Sequence, residues 1–287
     1  MLSTYGENES VVTNGYLEGN TLQEVIETYL DELLGGRVYD AYGEAFPLLF
    51  KFIHVEDNLS VQVHPDDASA ARDGLNGKTE MWYVHDAAPD AGILLGFNRN
   101  TSTEEVRHLL AENRIMDILR HQPVQRGDAA YIPAGRVHAL CKGAHVAEIQ
   151  QNSDVTYRLY DYNRPGLDGK LRPLHIEQAL AVLDYSELKE SLIPYTCSAN
   201  EAANLVNDSH FVTNLLRPNR PMLREMEALD SFVVYMCVAG SVRIECPDDD
   251  TPSVIVHSEE AVLIPASMSG VVLTPIGGEA ELLETYM

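Results

Sequence analysis

Gly127-Asp128-Ala129-Ala130-Tyr131-Ile132-Pro133-Ala134-Gly135-Arg136-Val137-His138-Ala139-Leu140 is the stretch whose reading decides the fold. Gly127 permits a tight turn into a short β-prone run. Pro133 closes that run because it has no amide proton for a ladder, and Gly135 lets the chain double back. His138 then re-enters on a second apolar run, facing inward. A lone inward histidine is usually a satisfied core residue, and a metal ligand is the other reading open here. A similar string, Glu260-Ala261-Val262-Leu263-Ile264-Pro265-Ala266-Ser267, lies near the C-terminus, which points to two copies of one barrel. Aligned on that string, His138 falls opposite Gly270, so the second copy is expected to lack this ligand.

Upstream, Gln62 and His64 are two apart in Leu59-Ser60-Val61-Gln62-Val63-His64-Pro65. On a strand they share a face, with Val61 and Val63 on the other. Gly77-Lys78-Thr79-Glu80-Met81-Trp82-Tyr83-Val84 is a turn running into a strand, and Lys78 and Glu80 again share a face. Taken singly, each segment also reads as an ordinary polar strand face or a surface ion pair beside a buried Trp82. Taken together they offer two histidines, a carboxylate and an amide. Such a mixed nitrogen and oxygen set with an open position suits a catalytic zinc, while iron and manganese accept the same donors. The other histidines (His54, His85, His108, His121, His145, His175, His210, His257) have no partner at ligand spacing and read as surface or core residues.

Most of the chain reads as short strands separated by Gly, Pro, Asn and Asp, the pattern of a sandwich or barrel. Helices are expected from Thr21, whose capping-box spacing to Glu24 opens a run through Leu34, and over 103–119. Residues 164–175 read as a loop and 175–205 as helical. Further on, Glu148 and Gln150 alternate with Ala147 and Ile149, so the polar pair is expected to face a wet barrel interior. Arg158 lies between aromatics in a β-prone run; either it binds an anion or it pairs with Asp161 or Asp154.

With 287 residues, 45% of them hydrophobic, the chain can bury one large core or two linked ones. No stretch approaches the roughly 18–20 apolar residues that cross a bilayer. The N-terminus has no basic region followed by an apolar run, so a cytoplasmic location is expected. The four cysteines form no C-x-x-C and read as free thiols. A formal charge of −24 argues against a nucleic-acid partner and requires a local cationic pocket for any anionic substrate.

The glycine-to-histidine string at 127–138 resembles the G-D-x-x-Y-I-P-x-G-x-x-H motif of cupin barrels. The strings at 62–67, 77–83, 131–139 and 148–164, in that order, closely resemble the short bacterial class of type I mannose-6-phosphate isomerases. The resemblance implies a mainly β fold of two cupin (jelly-roll) barrels with a helical insertion and helical connections. Residues 1–165 would form the catalytic barrel, with its insertion at about 103–120. Residues 166–205 would form the connection, and 206–287 a metal-free second barrel. By carry-over, one zinc ion falls on Gln62, His64, Glu80 and His138, the active-site lysine on Lys78, the arginine on Arg158 and a glutamate on Glu148. Members of the family usually begin with a further segment carrying a W-G-G string, which has no counterpart here. The implied reaction interconverts mannose 6-phosphate and fructose 6-phosphate through an enediolate, in a monomer or homodimer with no membrane partner. Two rivals stand beside it: a cupin oxygenase or epimerase, and a cupin that binds sugar phosphates without converting them.

Overall fold

The computed structural model describes every residue except 5, 167–168 and 248–251. It divides into two compact units, residues 52–193 and residues 1–51 together with 194–287. The first helices, α1 (Leu22–Leu34) and α2 (Gly36–Tyr42), belong to the second of these. Thr21 and Glu24 cap α1 reciprocally: the Thr21 hydroxyl accepts from the Glu24 amide, and the Thr21 amide donates to the Glu24 carboxylate. The helix kinks at Leu30 (φ 46°) and stops at Gly35 (φ 91°). The linear reading groups these residues with the first barrel. Their main-chain bonds go elsewhere: Phe232 N donates to Leu34 O and Ala266 N to Leu33 O, while the Asp230 carboxylate caps the amides of Gly36 and Arg37.

The unit over residues 52–193 is a sandwich of two antiparallel sheets. Its strands are β1 (Leu48–His54, of which residues 52–54 fall in this unit), β2 (Val61–Val63), β3 (Glu80–Ala87), β4 (Gly92–Phe97), β5 (Leu119–Pro123), β6 (Ala129–Ile132), β7 (His138–Leu140), β8 (Ala144–Gln151) and β9 (Tyr157–Tyr160). One sheet runs β1-β8-β3-β6 and the other β5-β4-β7-β2-β9. Alternation along each strand sends Trp82, Val84, Ile93, Leu95, Ala130, Leu140 and Val146 into one apolar core between the sheets.

Three short helices decorate this unit: α3 (Asp67–Ala70), α4 (Thr103–Ala111) and α5 (Ile176–Val182). The helical run expected over 103–119 breaks after Ala111, because Asn113 adopts a left-handed conformation (φ 57°), and resumes as a single 3₁₀ turn at Ile115–Ile118. Of the helix expected over 175–205, only α5 forms. Beyond it the amides bond across to other elements: Asp184 N to Gly135 O, Leu188 N to Phe97 O and Ile193 N to Ala129 O. Those partners are stronger claims on the backbone than a continued helix with Pro194 ahead.

The other unit repeats the plan. Its strands are β10 (Ala202–Asn207), β11 (Val212–Leu216), β12 (Met222–Glu225), β13 (Val233–Ala239), β14 (Ser241–Glu245), β15 (Val254–His257), β16 (Ala261–Ile264), β17 (Gly270–Pro275) and β18 (Glu281–Tyr286). The sheets run β10-β11-β18-β13-β16 and β12-β17-β14-β15. With β11 matched to β1, β18 to β8, β13 to β3 and β16 to β6, and β12, β17, β14 and β15 matched to β2, β7, β4 and β5, the two strand orders coincide. The internal repeat is therefore structural.

Register then corrects one detail. Gln62 pairs with His138, and in the second copy the inward-facing partners are Arg224 and Val271. The residue standing in for His138 is Val271 and not Gly270, because the turn after the corner is one residue longer. Glu80 pairs with Ile132 and Val233 pairs with Ile264, so Val233 replaces the carboxylate.

Candidate metal centre

The two facing sheets of residues 52–193 bring the polar side chains together. On one, Gln62 of β2 is paired with His138 of β7 on one side and with Arg158 of β9 on the other, making a single cross-strand row. On the other, Glu80 and Trp82 of β3 lie opposite Gln150 and Glu148 of β8. His64 and Lys78 sit just outside the strand ends. They are held there by Gly135 N donating to His64 O (2.8 Å) and Lys78 N donating to Pro65 O (3.0 Å).

His64, Glu80 and His138 are buried, and their donor atoms all lie within 4.8 Å of one another. His64 Nε2 is 3.5 Å from Glu80 Oε2 and His138 Nε2 is 3.4 Å from Glu80 Oε1. Each ring is oriented by the main chain through its other nitrogen. His64 Nδ1 is 2.6 Å from Val155 O, and His138 Nδ1 is 2.8 Å from Arg136 O. A carbonyl can only accept, so Nδ1 carries the proton in both rings and the Nε2 lone pairs face Glu80. His64 Nε2 and Glu80 Oε1 have no hydrogen-bond partner, an expensive arrangement in a dry interior unless a cation completes it. The donor types and the orphaned atoms fit a divalent metal. Gln62 is half-buried beside this set, with its amide nitrogen 3.3 Å from His138 Nε2; rotating the amide would present its oxygen instead.

The electrostatics agree with this arrangement. Burial, reinforced by Lys78, pushes His64 down to about 3, and burial lowers His138 as well, so both imidazoles stay neutral as ligands must. Burial alone would raise Glu80, but Lys78 and His138 outweigh it and hold the carboxylate well below its usual range. Lys78 Nζ lies 3.0 Å from Glu80 Oε2. Burial works against the Lys78 charge, and Glu80 with Glu148 overcomes it, raising Lys78 above the ordinary lysine value.

The remaining sequence candidates also lie at this end of the sandwich. Glu148 is buried, and its Oε2 accepts the Trp82 indole N–H at 2.9 Å. Arg158 donates through Nε to Ser60 Oγ and through Nη1 to Pro173 O, both neutral acceptors. Asp161, one of the two alternative partners for Arg158, is taken by Arg164 and Arg172. Trp82 reads from sequence as core alone, yet its N–H orients Glu148 and its ring stands edge-on to His138 at 5.5 Å. The signal was its two-residue spacing from Glu80. The Val155 and Arg136 carbonyls have no side-chain signature at all.

Gly135 holds the corner that carries His138. Its φ is +84°, and a Cβ there would come within 2.9 Å of Val182 O. Gly135→Ala is expected to cost about 1–3 kcal/mol, read as a lower urea midpoint at unchanged m-value. A midpoint equal to the parent's would show that this corner carries no strain.

Residues 1–96 match the family model described as "Phosphomannose isomerase type I, catalytic domain". The Bacillus subtilis protein named "Putative mannose-6-phosphate isomerase YvyI" is 41% identical over 273 residues, covering 93% of this chain and 82% of that one. The chain belongs to the type I phosphomannose isomerase family. "Mannose-6-phosphate isomerase ManA" of B. subtilis is 41% identical over 190 residues, which span 66% of this chain and 58% of ManA. The match to GmuF of the same organism spans 64% of that relative, so the chain aligns with less than two thirds of either. The crystal structure of the B. subtilis mannose 6-phosphate isomerase superposes with a TM-score of 0.86 at 29% identity, covering all of this chain and 88% of that one. In this phosphomannose isomerase fold, the cluster of His64, Glu80 and His138 lies in the first of the two sandwiches. Among the described residues, no helix is long and apolar enough to cross a membrane.

Proposed function

We propose that the chain is a zinc-dependent isomerase interconverting mannose 6-phosphate and fructose 6-phosphate, with His64, Glu80, His138 and Gln62 holding the metal. The observation that carries this reading is the convergence of two oriented Nε2 lone pairs on Glu80, beside the buried Lys78 and Glu148. Moving hydrogen between C1 and C2 of a sugar phosphate passes through an enediolate, and a bound zinc supplies Lewis-acid stabilisation of its negative charge. The relatives' names carry the same reaction.

The chain's own groups do the rest. Lys78, kept cationic by Glu80 and Glu148, adds positive charge next to the developing anion. Arg158 spends its hydrogen bonds on neutral acceptors, so its charge is available to the phosphate in a molecule whose net charge of −24 repels anions at long range. Glu148, oriented through Oε2 by Trp82, moves the proton between the two carbons. The reaction test is a coupled assay on chelator-treated protein with zinc restored. Zinc-dependent turnover supports the reading; binding without turnover, or iron with oxygen uptake, replaces it with one of its rivals. Glu148→Gln is expected to lower turnover about a hundredfold or more while zinc stays bound. Near-normal turnover would remove Glu148 from the proton-transfer role.

A further inference from the structure

A second group of metal-competent side chains lies on the outer face of the β1-β8-β3 sheet, away from the core that faces the centre described above. His54 at the end of β1, His145 on β8 and His85 on β3 stand on three adjacent strands. Their ring centroids are 4.6 Å apart for His54 and His145, 5.7 Å for His54 and His85, and 6.2 Å for His85 and His145. The inward residues of the same strands (Ile53, Val84, Val146) pack in the apolar core, so strand alternation turns all three histidines outward. The β3–β8 pairing breaks register at His85, between Val84 and Asp86, and Asp86 is the residue opposite His145. A bulge of this kind re-aims the side chain it carries.

From this arrangement we infer a second divalent transition-metal site formed by His54, His85 and His145. Three imidazoles are a donor set for borderline ions of the zinc class. Metal–nitrogen bonds of about 2.0–2.1 Å place ligand nitrogens roughly 3.3 Å from one another. Donor nitrogens of His54 and His85 already lie within 4.8 Å. His85 is buried, and its ring is fixed edge-on against Phe52 at 5.5 Å, which makes it the anchor. His54 is exposed and His145 half-buried, so changes of rotamer can bring their nitrogens onto the same point. The site shares no residue with the proposed catalytic centre and does not depend on the isomerase reading.

The probe is zinc alone, titrated by calorimetry into the chelator-stripped full chain in phosphate-free buffer. Two equivalents are expected for the parent. His54→Ala and His145→Ala, made separately and checked by circular dichroism, are each expected to weaken the second equivalent at least tenfold and leave the first unchanged. His138→Ala is expected to show the reverse, keeping the uptake that the two surface variants lose. A parent that takes up one equivalent, kept in both surface variants, overturns the inference. So does retention of both equivalents in either surface variant, or loss of both in His138→Ala.

Discussion

His138→Ala is expected to abolish zinc binding at the proposed catalytic centre and to lower the proposed isomerase turnover by about a thousandfold. His138 is fully buried, its ring is oriented by Arg136 O, and its Nε2 faces Glu80 at 3.4 Å. Alanine removes this donor nitrogen and supplies none in its place. Lewis-acid stabilisation is worth several kcal/mol, and about 4 kcal/mol corresponds to a thousandfold in rate. Metal content of the purified variant, together with coupled-assay turnover, measures both effects. Far-ultraviolet circular dichroism establishes that the sandwich still folds. A variant that keeps full zinc and turnover would exclude His138 as a ligand.

Glu284→Ala is expected to destabilise the other sandwich by about 3–5 kcal/mol without touching the centre. Glu284 stands in β18 where Glu148 stands in β8. It pairs with Tyr235 as Glu148 pairs with Trp82. Its carboxylate accepts from Arg224 Nε (2.8 Å) and Nη2 (2.7 Å), Tyr235 Oη (2.9 Å) and Asn214 Nδ2 (3.0 Å). Arg224 occupies the place of Gln62. Where the first sandwich gathers metal donors, the second has an internal ion pair with valines at the positions of Glu80 and His138. Removing the carboxylate leaves a largely buried guanidinium and a buried phenol without their acceptor. A midpoint roughly 10 °C lower in thermal unfolding is expected. Arg224→Met with Glu284→Leu removes both charges together and is expected to recover most of that loss. A double variant as unstable as Glu284→Ala would show that packing, and not the orphaned charge, carries the cost.

The candidate centre was legible in the sequence because its residues sit in short strands or one or two residues beyond their ends, where a spacing of two still puts side chains on one face. That rule placed Gln62 with His64 and Lys78 with Glu80, and the glycine–proline corner turned His138 inward. Helical periodicity failed at the end of α5. Leu183 continues the helical period of α5, but the amides that follow bond to Gly135, Phe97 and Ala129. The string match between the two copies slipped by one residue at the turn, since a motif does not record the length of the loop after it.

Residue chemistry and local periodicity were thus set by the sequence alone: a mainly β chain, a repeated strand–corner–strand plan, and two histidines, a glutamate and a glutamine on inward faces. Strand order and register were decided only in the tertiary structure, because they arise from pairing between segments far apart in the chain. Pairing across 76 residues brings Gln62 beside His138, and contact across 66 residues sets the Trp82 indole on Glu148. The grouping of His54, His85 and His145 has the same origin. No spacing along the chain encodes it, because three neighbouring strands contribute one residue each.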